Sequence, residues 1–442
     1  MPGISRRAIL SSSVAGAAAL GLAACGQKVD GDGDSGADKP SGPVVYWSAW
    51  AQGTPQQKIL DAACQEFTKA TGIEVDINWL GPNLATSLPT AVPGGTGPDL
   101  FDCTADKLGG YHVSGFTTDL SDLLTTKVTG EAKTLGEVLP EGALKVCRTA
   151  DGQLGFVPHT FLSTTLWFDG AAHADLAKNP PKDWNAFLKA LDAAAHDKLV
   201  PIAQDGTVDN LNIRWFYWPL LRLKGAGALA ALGTDKTAAA WRDPAVRQAA
   251  EAVETLARGE YFQRGYAGSK YPNAQNQWAG GEVLFNLNGS WLPQETAAQQ
   301  KSGFKPVALP FPQLPGGGTR PVVEVGALGW AVSAKAKNAQ AARLLIPFLM
   351  QKKYEEQIAG QAQNIPARSD VQAPEVLAGV REQIMTATEP FPSFDNAPAA
   401  AGTWYVDVMG PLATKLATGR ISAGKFVAEG AAQTAAYWKN HG

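Results

Sequence analysis

A two-lobed α/β fold is what this chain predicts, and three observations predict it. A strand, a helix and a second strand succeed one another within Val44–Trp79, the βαβ unit from which a parallel sheet is built. Beyond an N-terminal leader roughly 400 residues remain, more than a single hydrophobic core holds. The C-terminal third is alanine-rich with helical spacing of its apolar residues, so helices accompany the strands to the end of the chain.

The leader comes first. Ser5-Arg6-Arg7-Ala8-Ile9-Leu10 supplies a basic start, and Ala8–Ala24 an apolar run too short for the ~20 residues of a spanning helix. Leu22-Ala23-Ala24-Cys25-Gly26 resembles a bacterial lipobox, in which small residues precede a cysteine that is lipid-modified and becomes the first residue of the mature chain. The arginine pair resembles a twin-arginine export signal, with Ile9 where phenylalanine is commoner. Residues 1–25 are therefore read as a lipoprotein signal peptide with Cys25 as the lipidation site. Gly26–Pro43 has almost nothing to bury and is expected to be a disordered tether.

Val44–Trp47 reads as a strand. From Pro55 the residues Ile59, Leu60, Ala63 and Phe67 share one helical face, and Gly72 ends the helix. Ile73, Val75, Ile77 and Trp79 alternate as a half-buried strand. Gly94–Pro98 is a loop, and Asp99–Phe101 opens a further strand. Trp184, Phe187, Leu188 and Leu191 mark an amphipathic helix entered through Pro181. Val246–Ala257 and Ala341–Met350 are helical, the latter kinked or broken at Pro347. Pro310–Pro321, with Gly316–Gly318, is the clearest later loop. No internal repeat is found.

Composition limits the partners. Removing residues 1–25 takes away two arginines and no acid, which leaves a net charge of −5. Mild acidity argues against nucleic acid or an anionic membrane surface as partner. Beyond Cys25 there are Cys64, Cys103 and Cys147, an odd number that allows one bridge at most. A Cys103–Cys147 bond is expected in an oxidising compartment, with Cys64 a buried thiol.

Enzyme motifs are absent. The five histidines (His112, His159, His173, His196, His441) have no metal-ligand spacing, and no nucleophile elbow, P-loop or zinc-protease motif occurs. Asp102 and Asp106 are near enough for acid/base work in principle, but two such acids on a loop more often cap or contact a ligand. No cofactor, metal or catalytic residue is assigned.

The order of segments resembles the extracellular solute-binding proteins of ABC importers, family 1, in the maltose- and oligosaccharide-binding branch. The stretches that carry it are VVYWSAW, TGIEVDIN, GPDLFDCTADKLGGYHVSGF, GQLGFVP with LWFD, PPKDWNAFLKALD, FYWPLL, FNLNGSWLP, VGALGWAVSAKAKNAQAARLL and GTWYVDVM. They run from about Val44 to the C-terminus. The resemblance implies a type II periplasmic-binding fold, with a cleft between lobes assembled from discontinuous segments. It places the first lobe at 44–158 and 328–370 and the second at 159–327 and 371–442. The crossings then fall near Val157–Thr160, Val325–Gly329 and Ser369–Ala373.

It also implies a sugar ligand, a membrane permease as partner, no enzymatic activity and a monomer anchored by lipid to the extracytoplasmic face of the membrane. A pyranose offers an apolar face to aromatic rings and a rim of hydroxyls to hydrogen-bonding side chains. By position in the matching segments Asp106 is the rim acceptor, and Trp215, Trp291 and Trp404 are stacking platforms with Tyr405 beside the last. Trp50 and Gln52 follow the first strand, where ligand contacts collect in open α/β sheets. Trp278 belongs to an amide-rich stretch, Asn273–Gln277, directed to the cleft. Trp47, Trp79 and Trp184 are read as packing residues. The branch's pattern has an aromatic where Cys103 stands and an acid where Leu162 stands, which leaves the sugar's identity open. Two other readings are a secreted carbohydrate-active enzyme and a same-fold receptor for a non-sugar solute.

Overall fold

The computed structural model describes residues 42–318 and 320–441. The signal peptide, Cys25 and nearly all of the expected tether lie outside the described residues.

The opening βαβ unit forms as its sequence dictates. Strand β1 (Val44–Ser48) lies parallel to β2 (Val75–Trp79) and to β3 (Leu100–Thr104). Between β1 and β2 runs the helix Pro55–Thr71. Thr54 caps it by accepting from the Gln57 N–H at 3.3 Å, and Gly72 closes it in the left-handed conformation at φ 73°. Ile59, Leu60, Ala63, Cys64 and Phe67 are its buried face. The second strand begins two residues later than the alternation suggested, because Ile73 belongs to the turn out of the helix.

The sheet is completed from distant parts of the chain. Strands β4 (Val157–Leu162), β10 (Gly326–Val332) and β11 (Ile365–Pro366) add to it, in the order β11-β4-β10-β3-β1-β2. Strand β10 is antiparallel to both neighbours, and its pairing with β4 shifts register between Leu328 and Gly329. A Cβ at Gly329 would stand 2.1 Å from the Val157 carbonyl oxygen, so glycine is what lets the strands approach there.

A second sheet holds β6 (Val200–Ala203), β7 (Val283–Gly289), β5 (Thr164–Asp169) and β8 (Pro306–Leu309) in that order, with β5 antiparallel to both neighbours. Trp184, Phe187 and Leu191 cover it from the helix Trp184–His196. Much of the aromatic content is spent here: Trp218 stacks on Phe311 at 5.8 Å, and Trp215 meets Phe262 and Phe311 edge-on. Trp184 is buried as expected, whereas Trp47 and Trp79 are half-buried at the edge of the first core.

The two sheets are joined where β4 passes through Ser163 into β5, where β9 (Val322–Glu324) passes through Val325 into β10, and after β12 (Glu389–Phe391), which pairs with β9. One carboxylate ties these passages together. Glu324 accepts from Thr164 Oγ1 at 3.1 Å, from Ser393 Oγ at 2.9 Å, and from the Tyr217 hydroxyl. The core around the first sheet takes in Leu377, Val380, Ile384 and Ala387, and also Trp167 and Val283 of the second sheet.

Two local expectations are corrected. The helix Ala339–Leu349 runs on through Pro347, which forfeits a bond to the Arg343 carbonyl without breaking the helix. Cys103 and Cys147 are buried free thiols, as is Cys64, and no bond joins them.

Candidate functional site

The loop after β1 is fixed from below by a buried acid. Asp102, on β3, accepts from the Tyr46 hydroxyl at 2.7 Å, from Ser48 Oγ at 2.8 Å and from the Ala49 N–H at 2.7 Å, and the Trp330 indole donates to Tyr46 at 3.1 Å. Burial pushes the Asp102 carboxyl up to about 6, against the lowering effect of its hydrogen bonds. Asp102 is therefore a tether for this loop and not half of an acid/base pair with Asp106. The loop holds Trp50 half-buried, 6.3 Å from the ring of His159, and leaves Gln52 exposed. His159 is itself buried, and burial holds its imidazole down at about 3, so it stays neutral.

Asp106 lies in the first turn of the helix Ala105–Val113, where a carboxylate is favoured by the helix dipole. Its side chain is 26% exposed and pairs with Lys107 at 3.6 Å, so it can reach a ligand. The same helix abuts the turn at residues 396–399: a Cβ on Gly109 would lie 3.7 Å from Ala399 Cβ.

Trp291 follows β7, and its half-buried ring packs against Gly289 on one side of the turn. The guanidinium of Arg214, from the helix Asp209–Lys224, lies 5.5 Å from the Trp291 ring and 5.8 Å from that of Phe394. Arg214 Nη1 donates to Asn288 Oδ1 at 3.1 Å, and Asn288 Nδ2 to Gln275 Oε1 at 3.4 Å. The amide-rich stretch thus meets the site through Gln275. Tyr405, 5.8 Å from the Phe394 ring, donates to Asn210 Oδ1 at 2.9 Å. Its phenol is pushed up by burial; the Arg214 charge opposes that, and Glu324, Asp106 and Asp209 add to it. Arg214, Trp291, Phe394 and Tyr405 are thereby gathered from segments far apart in sequence, and the helix that carries Asp106 abuts the turn just after Phe394.

Two expected platforms, Trp215 and Trp404, and the expected cleft residue Trp278 are not in this group. Trp215 is buried, donating from its indole to Gln204 Oε1 at 3.0 Å. Trp404 is buried against Gly233 and donates to Thr434 Oγ1 at 2.9 Å. Trp278 is buried edge-on to Phe304 at 4.8 Å. A ring enclosed on both faces offers none to a sugar, so these are core residues in this structure. Arg214 and Phe394 are the members that sequence reasoning missed. Arg214 is adjacent to Trp215 in sequence, and the helix presents the arginine to Trp291 while turning the tryptophan inward. Phe394 begins a left-handed turn, with φ 55°, 52° and 60° at Phe394, Asp395 and Asn396, which no sequence signal marks. Asp395 secures that turn by accepting from the N–H groups of Gly227 at 2.6 Å and Leu229 at 2.7 Å. Among the described residues no cluster of histidine, cysteine or acid could hold a metal, and no helix is long and apolar enough to cross a membrane.

This is the architecture of the two-lobed solute-binding proteins. The bacterial solute receptor AcbH, described as having an exclusive preference for β-D-galactopyranose, superposes with a TM-score of 0.75 at 18% identity, over 90% of this chain and 98% of its own. An extracellular solute-binding protein from Staphylococcus aureus in complex with maltose gives 0.68 at 19%, over 91% and 99%. A cyclo/maltodextrin-binding protein complexed with maltotetraose gives 0.69 at 18%, over 90% and 97%. Residues 62–382 match the bacterial extracellular solute-binding protein family, and the chain belongs to that family.

Proposed function

We propose that this protein is the sugar receptor of an ABC importer, anchored outside the cell membrane by a lipid on Cys25 after export by the twin-arginine route. It binds a neutral di- or oligosaccharide between the two sheets and delivers it to a permease without chemical change. The observation that carries the reading is the cluster at Trp291. An aromatic ring at Trp291 and a part-exposed carboxylate at Asp106 offer the apolar and polar partners a pyranose needs, and the buried amides of Asn288 and Gln275 brace the site from behind. Family membership and the sugar-bound structures of similar proteins support it. Trp50 and Gln52 complete the first lobe's rim, and Tyr405 acts behind Phe394 as support rather than as a platform. The lobes are residues 44–162 with 326–388, and 164–324 with 391–441.

A thermal-shift screen of the mature protein against mono-, di- and trisaccharides tests the ligand class. A ligand that binds the folded state alone raises the melting temperature by mass action. No shift with any saccharide would remove the sugar reading. Replacing Cys25 by alanine should release the protein from the membrane fraction or leave it unprocessed; unchanged association with membranes would remove the lipid anchor.

A further inference from the structure

The cluster at Trp291 contains a cation whose hydrogen-bonding capacity the fold leaves largely unused. Arg214 is 5% exposed. Among the described residues its hydrogen bonding consists of Nη1 to Asn288, its Nε has no partner, and no carboxylate oxygen lies within 4.0 Å of it. A guanidinium carries five N–H donors in a fixed plane. Removing that charge from water is costly unless its donors are satisfied. The rings of Trp291 and Phe394 hold the plane by cation–π attraction but occupy no donor.

The surroundings show that the arrangement is built. Phe394 reaches Arg214 from the first of three successive left-handed residues, a conformation that Asp395 and Asn396 tolerate but that costs a phenylalanine about 1–2 kcal/mol. Asp395 holds the turn in place with its hydrogen bonds to the start of the helix Ala228–Thr234. Strain maintained in this way concentrates at ligand clamps and similar sites. The helix Asp209–Lys224 offers Arg214 to the cluster by burying its neighbour Trp215 against Phe262 and Phe311.

We propose that Arg214 orients the ligand by donating to two adjacent hydroxyl oxygens of a neutral sugar seated at Trp291, and so sets which sugar epimer is accepted. The proposal rests on the sugar reading given above. A planar fork matches a pair of neighbouring oxygens, which a lysine, a point charge on a flexible stem, does not. Hydroxyls are favoured over the carboxylate of a uronic acid because the cluster has no excess of positive charge. Asp106, Asp209 and Glu324 all act on the Tyr405 phenol alongside Arg214, and Lys107 is already paired with Asp106.

The test uses the full mature protein. Galactose, maltotriose, raffinose, xylotriose and chitotriose are titrated calorimetrically, together with galacturonate and glucuronate, and the tightest neutral sugar is followed in its monodeoxy forms. R214K and R214M should each weaken that sugar more than tenfold while the unliganded melting temperature changes little. In the unsubstituted protein, removing either of two adjacent hydroxyls should weaken binding; in R214K the same removals should cost nothing further. A residue that merely supports the fold would leave the deoxy pattern unchanged. Should R214M not fold, R214K carries the test alone. Normal affinity in R214K, an unaltered deoxy pattern, or tighter binding of a uronate than of its neutral parent overturns the proposal while leaving the sugar reading standing. Failure of every neutral sugar to bind the unsubstituted protein overturns the reading and the proposal together.

Discussion

The indole of Trp291 occupies space that only a glycine at position 289 leaves open: a Cβ there would stand 2.1 Å from Cζ3 and 2.2 Å from Cη2 of the ring. The strand end and the platform are thus a matched pair, two residues apart, immediately after Asn288 fixes Arg214. Ser290 between them is held to the neighbouring passage, its N–H donating to the Ser163 carbonyl at 2.9 Å.

Gly289→Ala should therefore displace Trp291 without unfolding the protein. Overpacking of this kind costs about 1–3 kcal/mol, less where the obstructing group can swing away. Ligand affinity should fall more than tenfold and tryptophan fluorescence should shift towards that of a more hydrated ring. Unchanged affinity would mean that the ring's position is immaterial to binding.

Stability should rise as the pH falls from 8 towards 5. Burial pushes Glu355 up to about 8 and Asp102 and Asp395 each up to about 6, above the ordinary carboxylate range. A carboxyl with a raised folded-state pKa binds its proton more tightly in the folded chain than in the unfolded one. Its protonation therefore favours folding between the folded value and the unfolded one near 4. Glu355 acts over the upper part of the range, and Asp102 and Asp395 over the lower. There they outweigh the single buried imidazole of His159, which opposes them by staying neutral while the unfolded ring gains a proton below about 6.5. The melting temperature, measured in constant ionic strength, should be higher at pH 5 than at pH 8, and Glu355→Gln should flatten the upper part. A melting temperature that fell steadily over the same range would contradict this.

The cysteines should behave as three buried thiols. Burial raises Cys64, Cys103 and Cys147, which keeps them protonated and unreactive. The native protein should give no reaction with a thiol reagent at pH 8, and three equivalents from residues 42–441 once denatured without reductant. One equivalent after denaturation would show that two of the cysteines are bonded.

How much of this the sequence disclosed follows from how local each feature is. The βαβ opening was legible because Pro55 and Gly72 punctuate a helix whose apolar spacing is unambiguous. Trp291 was marked by the Asn-Gly-Ser turn before it. Trp215 and Trp404 were not separable from platforms, since a tryptophan's exposure depends on what packs across it, here Phe262 with Phe311 for one and Gly233 for the other. Helical periodicity gave no reason to prefer Arg214 over its neighbour on a helix buried along most of its length. The convergence of Thr164, Ser393 and Tyr217 on Glu324 joins residues 69 to 160 positions apart, beyond the reach of any spacing rule.

The central claim, a sugar held at Trp291 in the cleft, is tested most directly by titrating the tightest saccharide into Trp291→Ala and Trp404→Phe side by side. Loss of a ring from a binding face costs about 1.4 kcal/mol for each factor of ten in affinity. Trp291→Ala should bind at least tenfold more weakly with its melting temperature nearly unchanged. Trp404→Phe, which loses the bond to Thr434 in the core, should melt earlier and bind normally. Unaltered affinity in Trp291→Ala, or a loss confined to Trp404→Phe, would contradict the account.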